Sequence, residues 1–220
     1  MTADLQSTST RRPVSAAARA YRYAKERLLD GRFAAGTLLS ENELARALGI
    51  SRTPVREAFL HLEAEDLIEL YPRRGALVKP IAPSEADDVL EARLLIERHC
   101  VIRVAEGASG LAPALRELVS DQERALNGGG EPFAVTDRAF HRMIVAANGN
   151  EVLNRQYDAL RDRQQRIAAG AVARDSGALA QFIAEHGQLA AAIEQGDGAR
   201  AADLIGVHLE RAHALARTRR

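Results

Sequence analysis

A chain of 220 residues with 46% hydrophobic and 27% charged side chains is long enough for two modest domains, each with its own core. Thirty basic and thirty acidic residues cancel, which argues against a uniformly basic nucleic-acid binder. No apolar run nears the roughly 20 residues that span a bilayer, the N-terminal stretch lacks a signal-peptide core, and the single cysteine, Cys100, excludes an internal disulfide, so a cytoplasmic protein without a membrane partner is expected.

The charge is unevenly spread. Residues 1–80 hold 13 Lys and Arg against 10 Asp and Glu, whereas residues 81–220 hold 17 against 20. A mildly basic head on a mildly acidic body suits a DNA-binding domain joined to something else.

Residues 1–14 read as a flexible tail. From Ser15 to about Asp30 the Ala-rich composition with Arg and Lys favours a helix, which Gly31 stops. Ser40-Glu41-Asn42-Glu43 has the spacing of a capping box, and the short helix it opens ends at Gly49, a natural left-handed C′ residue. Ser51 caps the next helix, expected to run to about Asp66 with Leu60 and Leu62 toward its apolar side. Leu67–Tyr71 and Ala76–Lys79 are short β-prone runs around Pro72-Arg73-Arg74-Gly75, a hairpin signal. Helix, short helix, tight turn, helix and hairpin make a winged helix-turn-helix over residues 15–80.

In such a unit the second helix of the pair enters the major groove with its first residues facing base edges. Those residues are Ser51, Arg52, Thr53, Pro54, Val55 and Arg56. Arg52 and Arg56, four apart, share one face, and Arg reads guanine O6 and N7 bidentately. Thr53, near the helix start, suits a phosphate oxygen. Arg73 and Arg74 at the hairpin tip are placed for the flanking backbone or minor groove. The competing reading is a surface helix with ordinary arginines.

The strings Leu39-Ser40-Glu41-Asn42-Glu43-Leu44-Ala45 and Leu48-Gly49-Ile50-Ser51-Arg52-Thr53-Pro54-Val55-Arg56-Glu57-Ala58 resemble the signature of the GntR family of bacterial regulators. The likeness continues through Leu62, Glu65, Leu67 and Gly75. It implies that Arg52 and Arg56 are the main base and phosphate readers, with Thr53 and Gly75 on the DNA backbone. Asn42 is a departure, because many relatives carry a DNA-contacting Arg there.

Residues 81–83 read as a linker. Beyond them no strand is credible, and breaks near Gly107–Gly110, Asn127–Gly130, Asn148–Asn150, Arg174–Gly177 and Gly196–Gly198 divide residues 84–220 into an all-α bundle of about six helices. The expected fold is therefore mainly α. Three of these helices place polar residues inside apolar stripes: Phe133, Asp137, Phe140, His141 and Ile144; Phe182, His186, Leu189 and Ile193; Leu204, Ile205, His208, Ala212 and Leu215. A buried carboxylate needs a partner, and buried imidazoles need their nitrogens satisfied. One Asp and three His converging from three helices meet both needs by binding a metal ion; hydrogen-bonded core histidines are the alternative. Such a donor set suits Zn²⁺, Ni²⁺, Mn²⁺ or Fe²⁺ better than Ca²⁺.

Asp137-Arg138-Ala139-Phe140-His141, Asn148-Gly149-Asn150, His186 and His208 resemble the ligand-binding (FCD) domain of the FadR-type subfamily of GntR regulators. That resemblance implies that Asp137, His141, His186 and His208 are metal ligands. The same pattern places an Arg and a Glu on the first bundle helix, matched by Arg93 and Glu97. Two readings of Arg93 stand: a clamp on a carboxylate effector, or a pair with Glu97. His61 is expected to pack late in its helix, His99 and His213 to be surface or packing residues without evident partners, Cys100 to be a small core residue, and Arg217, Arg219 and Arg220 to form a frayed end.

The implied protein is a homodimeric repressor of double-stranded, palindromic operator DNA that senses a small carboxylic acid through a metal-containing bundle. A purely structural metal and a metal-dependent hydrolase are the alternatives. The hydrolase lacks an HExxH motif and an assignable general base, so no enzyme is expected.

Overall fold

The computed structural model describes residues 14–107, 110–128, 132–168 and 176–218. The expected tail lies, but for Val14, outside the described residues, as do the first two residues of the expected break at 174–177 and Arg219 and Arg220. The chain divides into two compact units: residues up to Leu28 with Arg32–Pro80, and Leu29–Gly31 with Ile81–Arg220.

In the first unit, α1 (Ala16–Leu29) opens on Ser15, whose hydroxyl accepts from the Ala18 N–H at 3.1 Å. After β1 (Leu38–Leu39), α2 (Glu41–Leu48) starts at Ser40, which accepts from the Glu43 N–H at 3.4 Å, half of the expected box. Gly49 ends α2 at φ 63°, ψ 36°, and that left-handed residue brings the Ile50 N–H back to the Ala45 carbonyl at 3.0 Å. The tight turn that follows delivers α3 (Arg52–Ala64). Ser51 holds the N-cap position, but its hydroxyl makes no capping bond. Val55, Ala58, Phe59 and Leu62 form the buried face of α3. Leu60, expected on that face, is 53% exposed, because it falls between the buried rows at 58–59 and 62. His61 is also exposed, edge-on to Tyr21 with ring centroids 6.2 Å apart.

The wing is β2 (Ile68–Tyr71) and β3 (Gly75–Val78), antiparallel with Tyr71 opposite Gly75. β1 adds to β3 on its other side, giving the order β1-β3-β2. β1 was not expected, since two apolar residues have no periodicity to detect and are strand only because β3 pairs with them. Gly75, at φ 113°, lets two backbones meet: a Cβ there would lie 2.2 Å from the Leu39 carbonyl oxygen. Gly75→Ala is therefore expected to open the β1–β3 pairing and destabilise the unit by about 1–3 kcal/mol in thermal melts. An unchanged melt would remove this account of the wing.

The second unit holds α4 (Pro83–Glu106), α5 (Ala112–Leu126), α6 (Phe133–Ala147), α7 (Glu151–Ala168), α8 (Ser176–Glu194) and α9 (Gly198–Thr218). α4 begins at Pro83, where φ is preset for a first helical turn, so the expected linker gives way to helix at its last residue. The longest helices, α4 and α9, pack most extensively on each other, and α5, α6, α7 and α8 close around them. Cys100, Leu115, Phe140, Tyr157, Leu189 and Ile205 are among the fully or nearly fully buried core residues. His213 and Arg217 both hold Asp87, at 2.7 and 2.9 Å, so neither a partnerless His213 nor a frayed Arg217 is found.

Candidate DNA-reading face and metal centre

In the winged unit the start of α3 stands in solvent. Ser51, Arg52, Thr53 and Arg56 are exposed, and the Arg52 side chain keeps 66% of its surface free. It pairs with Glu41 at 3.2 Å, an exposed pair of the kind that contributes little and exchanges readily for phosphate or base. Asn42, Arg52, Arg56, Arg73, Arg74 and Gly75 line one groove of about 490 Å³. The fold thus gathers these residues on one surface, with Ser51 and Thr53 at its helical end. Arg73 sits at the wing tip, where its backbone takes φ 64° and the Arg74 N–H bonds the Tyr71 carbonyl at 3.0 Å.

In the bundle, Asp137 and His141 sit one turn apart on α6, His186 on α8 and His208 on α9. One donor atom from each lies within 4.8 Å of all the others. The His186 Nε2 is 3.2 Å from that of His141 and 3.3 Å from that of His208, and Asp137 Oδ1 is 3.6 Å from His141 Nε2. All three imidazoles are essentially buried.

The outward nitrogens explain which way the rings face. His141 Nδ1 donates to Glu97 Oε2 at 2.7 Å, His186 Nδ1 to Gln122 Oε1 at 2.8 Å, and His208 Nδ1 to Glu185 Oε2 at 2.8 Å. With each Nδ1 carrying the hydrogen, three Nε2 lone pairs point at one another. Lone pairs this close repel unless a cation lies among them, so the residues fit a metal ion. Imidazole nitrogens with a single carboxylate are the donors of a transition metal rather than of Ca²⁺ or Mg²⁺.

Charge agrees. Burial, then the neighbouring His208 and His141, push His186 well below its ordinary value; burial and His141 bring His208 down to about 3. Both rings are neutral at physiological pH, as ligands must be. Burial opposes the charged form of His141 too, but Glu97 and Asp137 outweigh it and hold the ring above its usual range. Burial alone would raise Asp137; Arg161 and His141 hold it well below the usual carboxylate range, with Arg161 Nη2 donating to Asp137 Oδ2 at 2.7 Å.

A cavity of about 460 Å³ opens beside these donors, with Arg93, Asp137, His141, Arg161, Gln164 and Phe182 among its lining residues. Both readings of Arg93 meet here. Its Nε pairs with Glu97 Oε1 at 2.7 Å, while its buried Nη2 has no partner. Gln122, Tyr157, Arg161 and Glu185, absent from the sequence reading, complete the surroundings. Gln122 carried a usable signal, a polar residue one turn from Leu118 on an apolar face; Arg161 and Glu185 lie among other charges and stand out only once folded.

A winged helix with an exposed arginine face, carried in one chain with a helical bundle enclosing a metal-competent centre, defines a DNA-binding transcriptional regulator. Residues 16–78 match the bacterial regulatory proteins of the gntR family and residues 88–211 the FCD domain. The chain belongs to the GntR family and carries an FCD domain; its family and relatives are transcriptional regulators, not enzymes. It is 29% identical over 194 residues to an HTH-type transcriptional regulator of an unstable DNA locus in Streptomyces ambofaciens, spanning 86% of this chain and 80% of that one. It is 32% identical over 127 residues to the gluconate operon transcriptional repressor of Bacillus licheniformis, spanning 54% and 49%. Among solved structures, E. coli McbR/YncC superposes with a TM-score of 0.80 at 22% identity over 93% and 98% of the two chains. A metal-free FCD domain of another transcriptional regulator gives 0.54 at 19% identity over 64% and 96%. No helix among the described residues is long and apolar enough to cross a membrane.

Proposed function

We propose that the chain is a homodimeric repressor that reads a palindromic operator and releases it when a small carboxylic acid enters the bundle. Ser51, Arg52, Thr53 and Arg56 contact bases and phosphates, and Asn42, Arg74 and Gly75 contact the flanking backbone. Asp137, His141, His186 and His208 hold a divalent transition metal, with Zn²⁺ the best match to the donors and Ni²⁺, Mn²⁺ and Fe²⁺ compatible with them. When bound, the metal supplies positive charge that attracts a carboxylate.

The observation that carries this reading is Arg93, which lines the same cavity as Asp137, His141 and His208 and whose buried Nη2 has no hydrogen-bond partner. A purely structural metal site has no need of a second cation facing an adjacent cavity. A guanidinium edge near a metal suits an acid that satisfies both. Relatives named as repressors support the sign of regulation.

The test begins with duplexes selected from a random library by the full-length chain, which should converge on an inverted repeat. Zn²⁺-loaded protein is then screened by thermal shift against small organic acids. An acid that raises the melting temperature should weaken binding to the selected duplex, since it must prefer one of two conformations to act at all. A stabilising acid that leaves duplex affinity unchanged refutes the sensing role.

A further inference from the structure

The three oxygens that hold the histidine Nδ1 atoms have different neighbours. Gln122 Nε2, on the far side of the amide that holds His186, is buried without a partner. Glu185, behind His208, accepts with its other oxygen from Gln181 at 3.1 Å and from Arg211. Glu97, behind His141, accepts with Oε1 from Arg93 Nε at 2.7 Å and from Tyr157 Oη at 3.1 Å. Among the described residues Glu97 alone of the three also bonds a further cavity-lining side chain, Arg93. Arg93, Glu97 and Tyr157 are all at least 97% buried, so water does not dilute the effect of one on another.

We infer that Glu97 is a positioning residue that couples occupancy of the cavity to the strength of His141 as a metal ligand. This rests on the metal centre proposed above. The carboxylate has one negative charge to share between two oxygens. Donors on Oε1 draw it away from Oε2; fewer or weaker donors leave more for the Nδ1–H of His141. A fuller bond at Nδ1 makes Nε2 the better electron donor. An anion in the cavity that Arg93 lines engages the guanidinium and loosens its hold on Oε1. Anion and metal therefore bind with positive cooperativity, and each raises the affinity of the other by the same factor.

The experiment measures Zn²⁺ affinity of the full-length chain by competition with a chromogenic chelator, in wild type, Y157F, E97Q and the double variant. E97Q is expected to weaken Zn²⁺ about 10- to 100-fold. Y157F removes one donor from Oε1 with little change of shape and is expected to tighten Zn²⁺ several-fold. That sign is diagnostic, because general damage to the core only weakens metal binding. In the E97Q background the Y157F effect should shrink to within about twofold. Should E97Q fail to fold, E97D replaces it: the retracted carboxylate weakens Zn²⁺ and again blunts the Y157F effect. The ¹⁵N resonances of His141 in metal-free protein give a second readout, with Nδ1 protonated in wild type and mixed tautomers in E97Q. Wild type that takes up Zn²⁺ while Y157F binds it equally or more weakly overturns the coupling alone. Wild type that takes up none overturns the metal centre and the coupling with it.

Discussion

His186→Ala is expected to abolish stable metal retention and the stabilisation that metal confers. The imidazole is fully buried, stacked on Phe140 with centroids 4.3 Å apart, and its Nε2 is the atom that approaches both other histidines. Without metal the variant pays for a cavity and for a Gln122 amide left without any bond, about 2–4 kcal/mol together. With metal at a thousand times its Kd the wild type gains about 4 kcal/mol more, a gain the variant lacks. Thermal melts with and without Zn²⁺, beside metal content after dialysis, separate the two contributions. Duplex affinity without effector should persist, because the winged unit has a core of its own from Ala20 to Val78. A variant with full metal stoichiometry would falsify the ligand assignment.

Arg52→Ala is expected to cost about 1–3 kcal/mol per half-site, hence about 2–6 kcal/mol for a dimer on a palindrome. No core contact is lost, since the Arg52 side chain is 66% exposed and pairs with the neighbouring Glu41 at the surface. Binding to a panel of single-base duplex variants distinguishes the roles. A base reader relaxes preference at one position of each half-site, whereas a phosphate contact weakens all duplexes alike and lowers the salt dependence. Unchanged affinity across the panel removes Arg52 from the interface.

Much of this was legible from local chemistry. Gly49 after an eight-residue helix marks a left-handed stop, and Pro72 to Gly75 between β-prone runs marks a wing. Asp137 with His141, and His186 and His208 on other helices, stood out because polar side chains at apolar positions need partners. Strand β1 did not stand out, because its two residues owe their conformation to a partner across the chain. Leu60 was misplaced because residues two apart on a helix point about 200° from each other, so it cannot share the buried face of Leu62.

The DNA-reading half was thus settled by residues close in the chain: caps, turns and one arginine-bearing helical face act over one or two turns, where spacing is geometry. The bundle was settled in part. Helical periodicity names the inward side chains, so four donors could be listed without a fold. What they face depends on which helices become neighbours, and that is set by packing across more than 40 residues, as between Glu97 and His141. Folding therefore chose the partners: Glu97, Gln122 and Glu185 behind the histidines, Arg161 behind Asp137, and Arg93 divided between Glu97 and the cavity.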